Sequence, residues 1–141
     1  MEPGADFVQL DLDTEERFQR LRAELGVTTF GVNLIVLQPG QVGRIHRHER
    51  QEEVYLVLEG ELSLLLEGEE RVVPTNGLAR VAPEVRRQLV NRRSQRLVLL
   101  ALGGATPHEG RDGVAYASWE ATEGAAPQEV PLPADVPVDA A

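Results

Sequence analysis

The sequence contains no cysteine in its 141 residues. This absence excludes disulfides, thiolate metal sites and a cysteine nucleophile, although it says little about the compartment in which the protein works. The longest uninterrupted apolar run, residues 97–102, is far too short to span a membrane. The first thirteen residues are acidic and mixed in character, unlike a signal peptide. We therefore expect a cytoplasmic protein.

Aromatic residues make up only 4% of the chain, so the core has to be built from Val, Leu, Ile and Ala. Basic residues are also few: 14 stand against 23 acidic ones, which gives a net charge of −9. Because an acidic surface repels phosphate backbones and anionic lipids, we expect neither a nucleic-acid partner nor a membrane partner. The length suits one domain with a proper core.

Short β-type segments separated by turn residues dominate the middle of the chain. They predict about eight strands at roughly 8–12-residue spacing, which is typical of an all-β sandwich or barrel. The segments are 27–37, two within 40–60, then 61–66, 71–73, 78–82, 87–91 and 96–102. Several are apolar on both faces and need cover from a second sheet, a helix or a partner subunit. This pattern favours a homodimer.

The segments on either side of the barrel have other patterns. Residues 7–12 alternate like a strand, and Phe18, Leu21 and Leu25 recur at helical spacing before a capping Gly26. We expect a helix of about three turns there. We divide the chain into an N-terminal strand and helix (1–26), a barrel (27–103), a packing segment (104–119) and an acidic tail rich in Pro and Ala (120–141).

The last two segments carry few structural signals. Tyr116 and Trp119 are expected to anchor the packing segment on the barrel. The tail has four prolines, five acids and no bases, and reads as disordered unless it docks on a barrel. His108 lies in a Gly-rich loop and is expected at the surface.

The most informative stretch runs from Gly40 to Gly60. His46 and His48 are two residues apart, so both imidazoles leave the same face of an extended strand. The acids Glu52 and Glu53 follow at the head of the next apolar run. Two imidazoles on one strand and a carboxylate on the next can form a 2-His-1-carboxylate metal site.

This stretch resembles the first motif of the cupins: Gly, five residues, His-x-His, three or four residues, Glu, six residues, Gly. Gly40, His46, His48, Glu53 and Gly60 fall on every fixed position. The six-residue gap to Gly60 selects Glu53 rather than its neighbour as the ligand candidate. The resemblance implies a double-stranded β-helix (jelly-roll) barrel that holds a divalent metal, with a short N-terminal helix and a C-terminal extension added here. It also agrees with a homodimer.

The second cupin motif is matched less well. Gly77 and Pro83 fit its opening, but Val85 stands at the next glycine position, Gln88 stands where the third histidine belongs, and Asn91 comes one place early. The resemblance therefore covers about residues 27–103 and weakens in its second half.

The resemblance implies that His46, His48 and Glu53 bind a divalent ion, which is Fe, Mn, Zn or Ni. The amide oxygen of Gln88 completes or borders this ligand set, or else Gln88 hydrogen-bonds a bound water or substrate. A neutral amide oxygen is a harder and weaker donor than imidazole, which lowers affinity and favours Mn or Fe.

Three further residues are candidates for contacts with a substrate. Tyr55 shares strand parity with Glu53, so its hydroxyl is expected inside the barrel, as a substrate contact or as an ordinary core tyrosine. Arg44 shares parity with the two histidines, and Arg86 with Gln88. If both arginines point inward they can hold a carboxylate or enolate, and otherwise they sit at the rim. The basic run that includes Arg86 is expected to pair with the Glu-rich region 59–70.

Two functions follow from these features. The first is a metal-dependent enzyme of the dioxygenase, isomerase or cyclase type that acts on a small organic acid or enol-type substrate. The second is a non-catalytic barrel that binds a small molecule and has a weak or vestigial metal site. The altered second motif favours the second function.

Overall fold

The structure, a computed structural model, describes residues 4–105 and 112–139. In these ranges, ten strands form two five-stranded antiparallel sheets with the orders β1-β2-β9-β4-β7 and β10-β3-β8-β5-β6. The strands are β1 (Phe18–Arg20), β2 (Gly31–Leu37), β3 (Ile45–His48), β4 (Glu52–Glu59), β5 (Leu62–Leu66), β6 (Glu69–Val73), β7 (Leu78–Val81), β8 (Arg87–Val90), β9 (Leu97–Gly104) and β10 (Gly113–Tyr116). No helix in the described residues is both long and apolar enough to cross a membrane.

The main core lies between the two sheets. Its buried side chains come from β2, β4, β7 and β9 of one sheet and from β5, β6 and β8 of the other. The core residues alternate along each strand that supplies more than one of them, as Leu62 and Leu64 do in β5, because successive side chains of a strand face opposite sides of the sheet. All eight predicted strands are present, and the jelly-roll fold is confirmed.

The outer face of the first sheet is covered by the chain itself. Leu21 packs there against Val32, Leu34 and Val36 of β2 and Val98 of β9, and leucines of the N-terminal segment lie against the same cluster. This intrachain cover accounts for strands that are apolar on both faces. The homodimer therefore stays a prediction that these strands do not require.

The N-terminal segment differs from the sequence prediction. The predicted three-turn helix is reduced to one four-residue helix, α1 (Arg22–Leu25), and residues 7–12 form no strand. Residues 18–20 instead pair with 33–35 as edge strand β1, because the open edge of β2 offers backbone partners that a helix would leave unused. Gly26 caps α1 with φ 71°, as predicted.

The C-terminal segment adds strand β10 to β3 and then crosses the barrel. Tyr116 is buried, as predicted for an anchor, and Val130 is buried in the tail. The backbone N–H of Val136 donates to the carbonyl of Gly40 at 2.8 Å. The tail therefore docks on its own barrel, and disorder is the wrong alternative for residues 120–139. His108 lies outside the described residues.

Candidate metal centre

Strand β3 brings the two histidines of the HxH sequence together. His46 and His48 are on one face of the strand, and their rings meet edge to face with centroids 5.3 Å apart. Nδ1 of His46 donates to the carbonyl of Arg44 at 3.1 Å. Nδ1 of His48 donates to the carboxylate of Asp112 at 2.8 Å. In a neutral imidazole such an acceptor favours the proton at Nδ1, which leaves Nε2, on the side of Glu53, as the atom that can bind a metal ion.

Strand β4 supplies the carboxylate. Oε1 of Glu53 lies 3.4 Å from Nε2 of His46 and 3.3 Å from Nε2 of His48. The hydroxyl of Tyr55, two residues along the same strand face, donates to this oxygen at 2.5 Å. Glu52 points to the exterior, where its carboxylate accepts from Arg80 at 2.7 Å. The structure thus brings Glu53 to the histidines, as its spacing to Gly60 in the first cupin motif indicated.

The three side chains fit a divalent cation. One ligand atom from each of His46, His48 and Glu53 lies within 4.8 Å of the others. Nε2 of His48 is buried and has no hydrogen-bond partner, so this nitrogen is available to coordinate a metal ion. Two imidazoles and one carboxylate are the donor set of the facial triad, which binds first-row divalent metals and leaves positions open.

Asp112 is a residue of this site that the sequence analysis missed. Besides His48, its carboxylate accepts from the side-chain amide of Gln51 at 2.7 Å and from the backbone N–H groups of Arg50 and Gln51, both at 2.7 Å. The pairing of Gly113 with His48 brings this distant residue beside the site. The run of β-forming residues from Gly113 to Tyr116 was the available signal.

The charges at the site follow from this network. Burial raises the pKa of Glu53, but His46 and His48 outweigh it and hold the pKa well below its usual value. Burial lowers the pKa of His48, but Glu53 and Asp112 outweigh it and leave the pKa above 6.5. Burial raises the pKa of Tyr55 well above 10. Glu53 is therefore a carboxylate and Tyr55 a neutral donor.

The ligand atoms line a cavity of about 640 Å³. Tyr55 lines it beside the triad, and Arg44 and Arg20 add two cations to its wall. Nε of Arg44 donates to the carbonyl of Val130 at 2.6 Å, so the tail fixes this arginine at the cavity. Ala126, Pro127 and Gln128 of the tail also line it. Tyr55 thus lies inside the barrel, as expected, and Arg44 lines the cavity, which is one of the two positions left open for it.

Gln88 and Arg86 are not brought to this cavity. This corrects the predicted position of Gln88, whereas Arg86 takes the second of its two alternatives, a rim position paired with a glutamate. The amide of Gln88 donates to the carbonyl of Gly43 at 3.1 Å. Arg86 lies over the ring of Tyr116 and bonds to Glu67. The reason is the register of β8: Leu89 and Arg87 face inward, so their neighbours face away.

Arg87 is the second residue that the sequence analysis missed. Its side chain is fully buried, and Nη1 lies 3.4 Å from Oε1 of Glu53. The rest of the basic run pairs with the Glu-rich region as predicted, through Arg86–Glu67, Arg92–Glu70, Arg93–Glu61 and Arg96–Glu59. Of these five arginines, Arg87 alone points toward the candidate metal site.

Comparison with known proteins agrees with this fold. Similar solved structures include a cupin protein from Bacteroides fragilis, with 20% identity, coverage of 74% of this chain and 86% of that chain, and a TM-score of 0.65. A Cupin 2 conserved barrel domain protein from Salinispora arenicola has 26% identity, coverage of 68% and 81%, and a TM-score of 0.57. A protein from Silicibacter pomeroyi titled sugar phosphate isomerase from a cupin superfamily has 29% identity, coverage of 82% and 79%, and a TM-score of 0.59.

Among curated proteins no significant match was found. The family profile described as Cupin domain (Cupin_2) matches residues 33–103. This range contains strands β3 to β8 whole, most of β2 and β9, and the three candidate ligands. The chain therefore belongs to the Cupin_2 family.

Proposed function

We propose that the protein is a metal-dependent cupin enzyme that acts on a small organic anion, of the acid or enol type. The observation that carries this proposal is the convergence of two imidazole Nε2 atoms and one carboxylate inside a cavity of about 640 Å³. His46, His48 and Glu53 would hold the divalent ion. Such an ion supplies Lewis acidity toward a chelating substrate or, as iron, activates O₂.

The charge of the cavity wall supports an anionic substrate. Arg20 and Arg44 contribute two cations, and the carboxylate of Glu53 is directed to the histidines. This cationic lining stands out in a chain of net charge −9. A guanidinium binds carboxylates and phosphates through paired N–H donors, so Arg44 would orient the anionic end of the substrate.

Other residues of the cavity would orient the ligands and exclude water. Tyr55 holds Oε1 of Glu53 and keeps that carboxylate in one orientation. Phe18, Ile35 and Leu89 form apolar wall, which excludes water from part of the cavity. Among the reaction types that the family allows, the likeness at 29% identity to a protein titled sugar phosphate isomerase supports an isomerase.

One observation favours a second function, a barrel that binds a small molecule without changing it. In the part of the cavity that the structure describes, Tyr55 is bonded to Glu53 and the Nδ1 atom of each histidine to an oxygen atom, which leaves the Nε2 atoms that would bind the ion. An enzyme would then depend on the ion for its chemistry.

Metal content tests the first part of the proposal. Protein made without a histidine tag should retain a stoichiometric divalent ion in mass-spectrometric elemental analysis. The ion should be lost in His48→Ala and kept in Glu52→Ala, the matched control on the exterior. Sub-stoichiometric metal in the parent, unchanged in His48→Ala, contradicts a metal-dependent enzyme.

Binding and turnover separate the two functions. The metal-loaded protein is incubated with small oxo acids, hydroxy acids and sugar phosphates and followed by NMR. The enzyme predicts conversion of a bound compound, with weaker binding in Arg44→Met than in the exterior control Arg80→Met. A compound that binds for hours unchanged, with no other compound converted, favours the binding protein.

A further inference from the structure

The guanidinium of Arg87 is a buried charge whose partners are incomplete. Nη2 donates to the carbonyl of Ala82 at 2.6 Å, and Nη1 lies 3.4 Å from Oε1 of Glu53. Nε and Nη1 have no hydrogen-bond partner. A fully buried charge is costly unless an opposite charge compensates it, so Glu53 is the group that keeps Arg87 in this place.

The sheet places Arg87 where a metal ligand is expected. Arg87 is directly opposite His46 in the β3–β8 pairing and opposite Leu66 in the β5–β8 pairing. Its side chain therefore leaves the inner face of β8, beside the two histidines. Gln88, the next residue, leaves the other face.

The asparagine of the second motif also indicates that Arg87 stands at the histidine position. That motif has three residues between its histidine and its asparagine, and three residues separate Arg87 from Asn91. Asn91 is fully buried and donates to the carbonyls of Leu37 at 2.9 Å and Gln95 at 2.8 Å, so it is a structural residue of the barrel. With Arg87 at the histidine position and Asn91 at the asparagine position, the stretch between Pro83 and β8 is one residue shorter than in the motif.

We propose that Arg87 replaces the third histidine of the cupin motif and is a positioning residue that sets the metal affinity. It holds Glu53 in the ion-free protein and opposes the entry of a cation. This inference rests on the proposed metal site but concerns a residue outside its ligand set. Because an ion and the guanidinium compete for the same carboxylate, the centre should bind metal more weakly than one with a third imidazole.

Histidine substitutions at residues 87 and 88 test which of the two residues occupies the position of the third histidine. Mn²⁺ is titrated by calorimetry into the full-length, untagged protein after removal of bound metal with a chelator. Arg87→His should bind Mn²⁺ tighter than the parent by on the order of tenfold or more, because it removes a cation and adds an imidazole. Gln88→His, the matched control, should stay within about threefold of the parent.

Neutral substitutions test the charge. Arg87→Met should also tighten Mn²⁺ binding, whereas Arg80→Met removes an exposed charge of the same sign and should stay within about threefold of the parent. Arg87→Gln keeps an amide donor for the carbonyl of Ala82 and serves if Arg87→Met does not fold. Circular dichroism checks folding, and the rise in melting temperature caused by Mn²⁺ should be larger in the neutral variant than in the parent.

The outcomes separate this inference from the proposed function. Mn²⁺ binding in the parent that depends on His48 but does not tighten in Arg87→His or in the neutral variants overturns the inference alone. Tightening by Gln88→His rather than Arg87→His also overturns it. Binding that appears only after Arg87 is replaced supports the inference and contradicts the metal dependence of the parent. Absence of binding in every variant overturns both.

Discussion

The contact between Asp112 and His48 makes a prediction whose size follows from the structure. In Asp112→Asn, the side-chain carbonyl can still accept the two backbone N–H groups that lie 2.7 Å from the present carboxylate. The new NH₂ group then faces Nδ1 of His48, where it needs an acceptor. The proton of His48 therefore moves to Nε2, and the lone pair that faces Glu53 is lost.

We expect the metal affinity to fall by about 10–100-fold, the usual effect of losing such a partner. This corresponds to about 1.4–2.7 kcal/mol of binding free energy. Calorimetry with Mn²⁺ measures the affinity, and long-range ¹H–¹⁵N NMR of the imidazoles reports the tautomer in the ion-free protein. The parent should show the proton of His48 at Nδ1, and the variant at Nε2.

Glu49→Gln is the matched control. Glu49 follows His48 directly, but its exposed carboxylate pairs with Arg47 at 3.2 Å and does not contact the site. Its substitution should leave both the affinity and the tautomer unchanged. Asp112→Asn protein that folds, shows the proton of His48 at Nε2 and still binds Mn²⁺ like the parent would refute this link between the tautomer and the metal affinity.

Three other predictions concern stability. The ion-free protein should melt at its highest temperature at mildly acidic pH. The pKa of Glu53 is depressed, so its contribution to the free energy of unfolding is lost as the pH falls below about 4.5. The pKa of His48 is raised, so its contribution is lost as the pH rises above 6.5. Melting curves across pH check this, and a melting temperature that climbs steadily to pH 9 would disprove it. Tyr55→Phe removes a buried donor to a carboxylate and should lower the free energy of unfolding by about 1.5–3 kcal/mol in urea titrations; a neutral effect means that Glu53 finds another donor. Gly60→Ala puts a Cβ against the carbonyl of residue 96 at φ 82°, whereas Gly68→Ala puts one in open space at φ 86°. Gly68→Ala should lower the free energy of unfolding by about 1–2 kcal/mol through left-handed strain alone, and Gly60→Ala should lower it by more. Equal losses in urea titrations would show that the backbone at residue 60 relaxes.

The strands and the candidate ligand triad were predictable because their signals are local. Each strand is a short apolar run between turn residues, and its period of two sets which side chains face the core. His46, His48 and Glu53 fall within eight residues of the chain, so their fixed spacing was enough to bring them together.

The errors arose where distant pairing decides the outcome. Phe18 joins a strand because the edge of β2 is available, although its own spacing to Leu21 and Leu25 is helical. Asp112 reaches His48 across 64 residues through a strand that was not predicted. Gln88 and Arg87 were exchanged because a shift of one residue moves every side chain of a strand to the opposite face.

In the proposed metal site, His46, His48 and Glu53 together hold one divalent ion. Anomalous diffraction from crystals of the untagged protein, recorded on both sides of the absorption edge of the bound metal, tests it most directly. We expect one strong peak between the two Nε2 atoms and Oε1 of Glu53, absent from His48→Ala crystals. Crystals soaked in Mn²⁺ that show no peak there, or only peaks at exterior carboxylates, would contradict it.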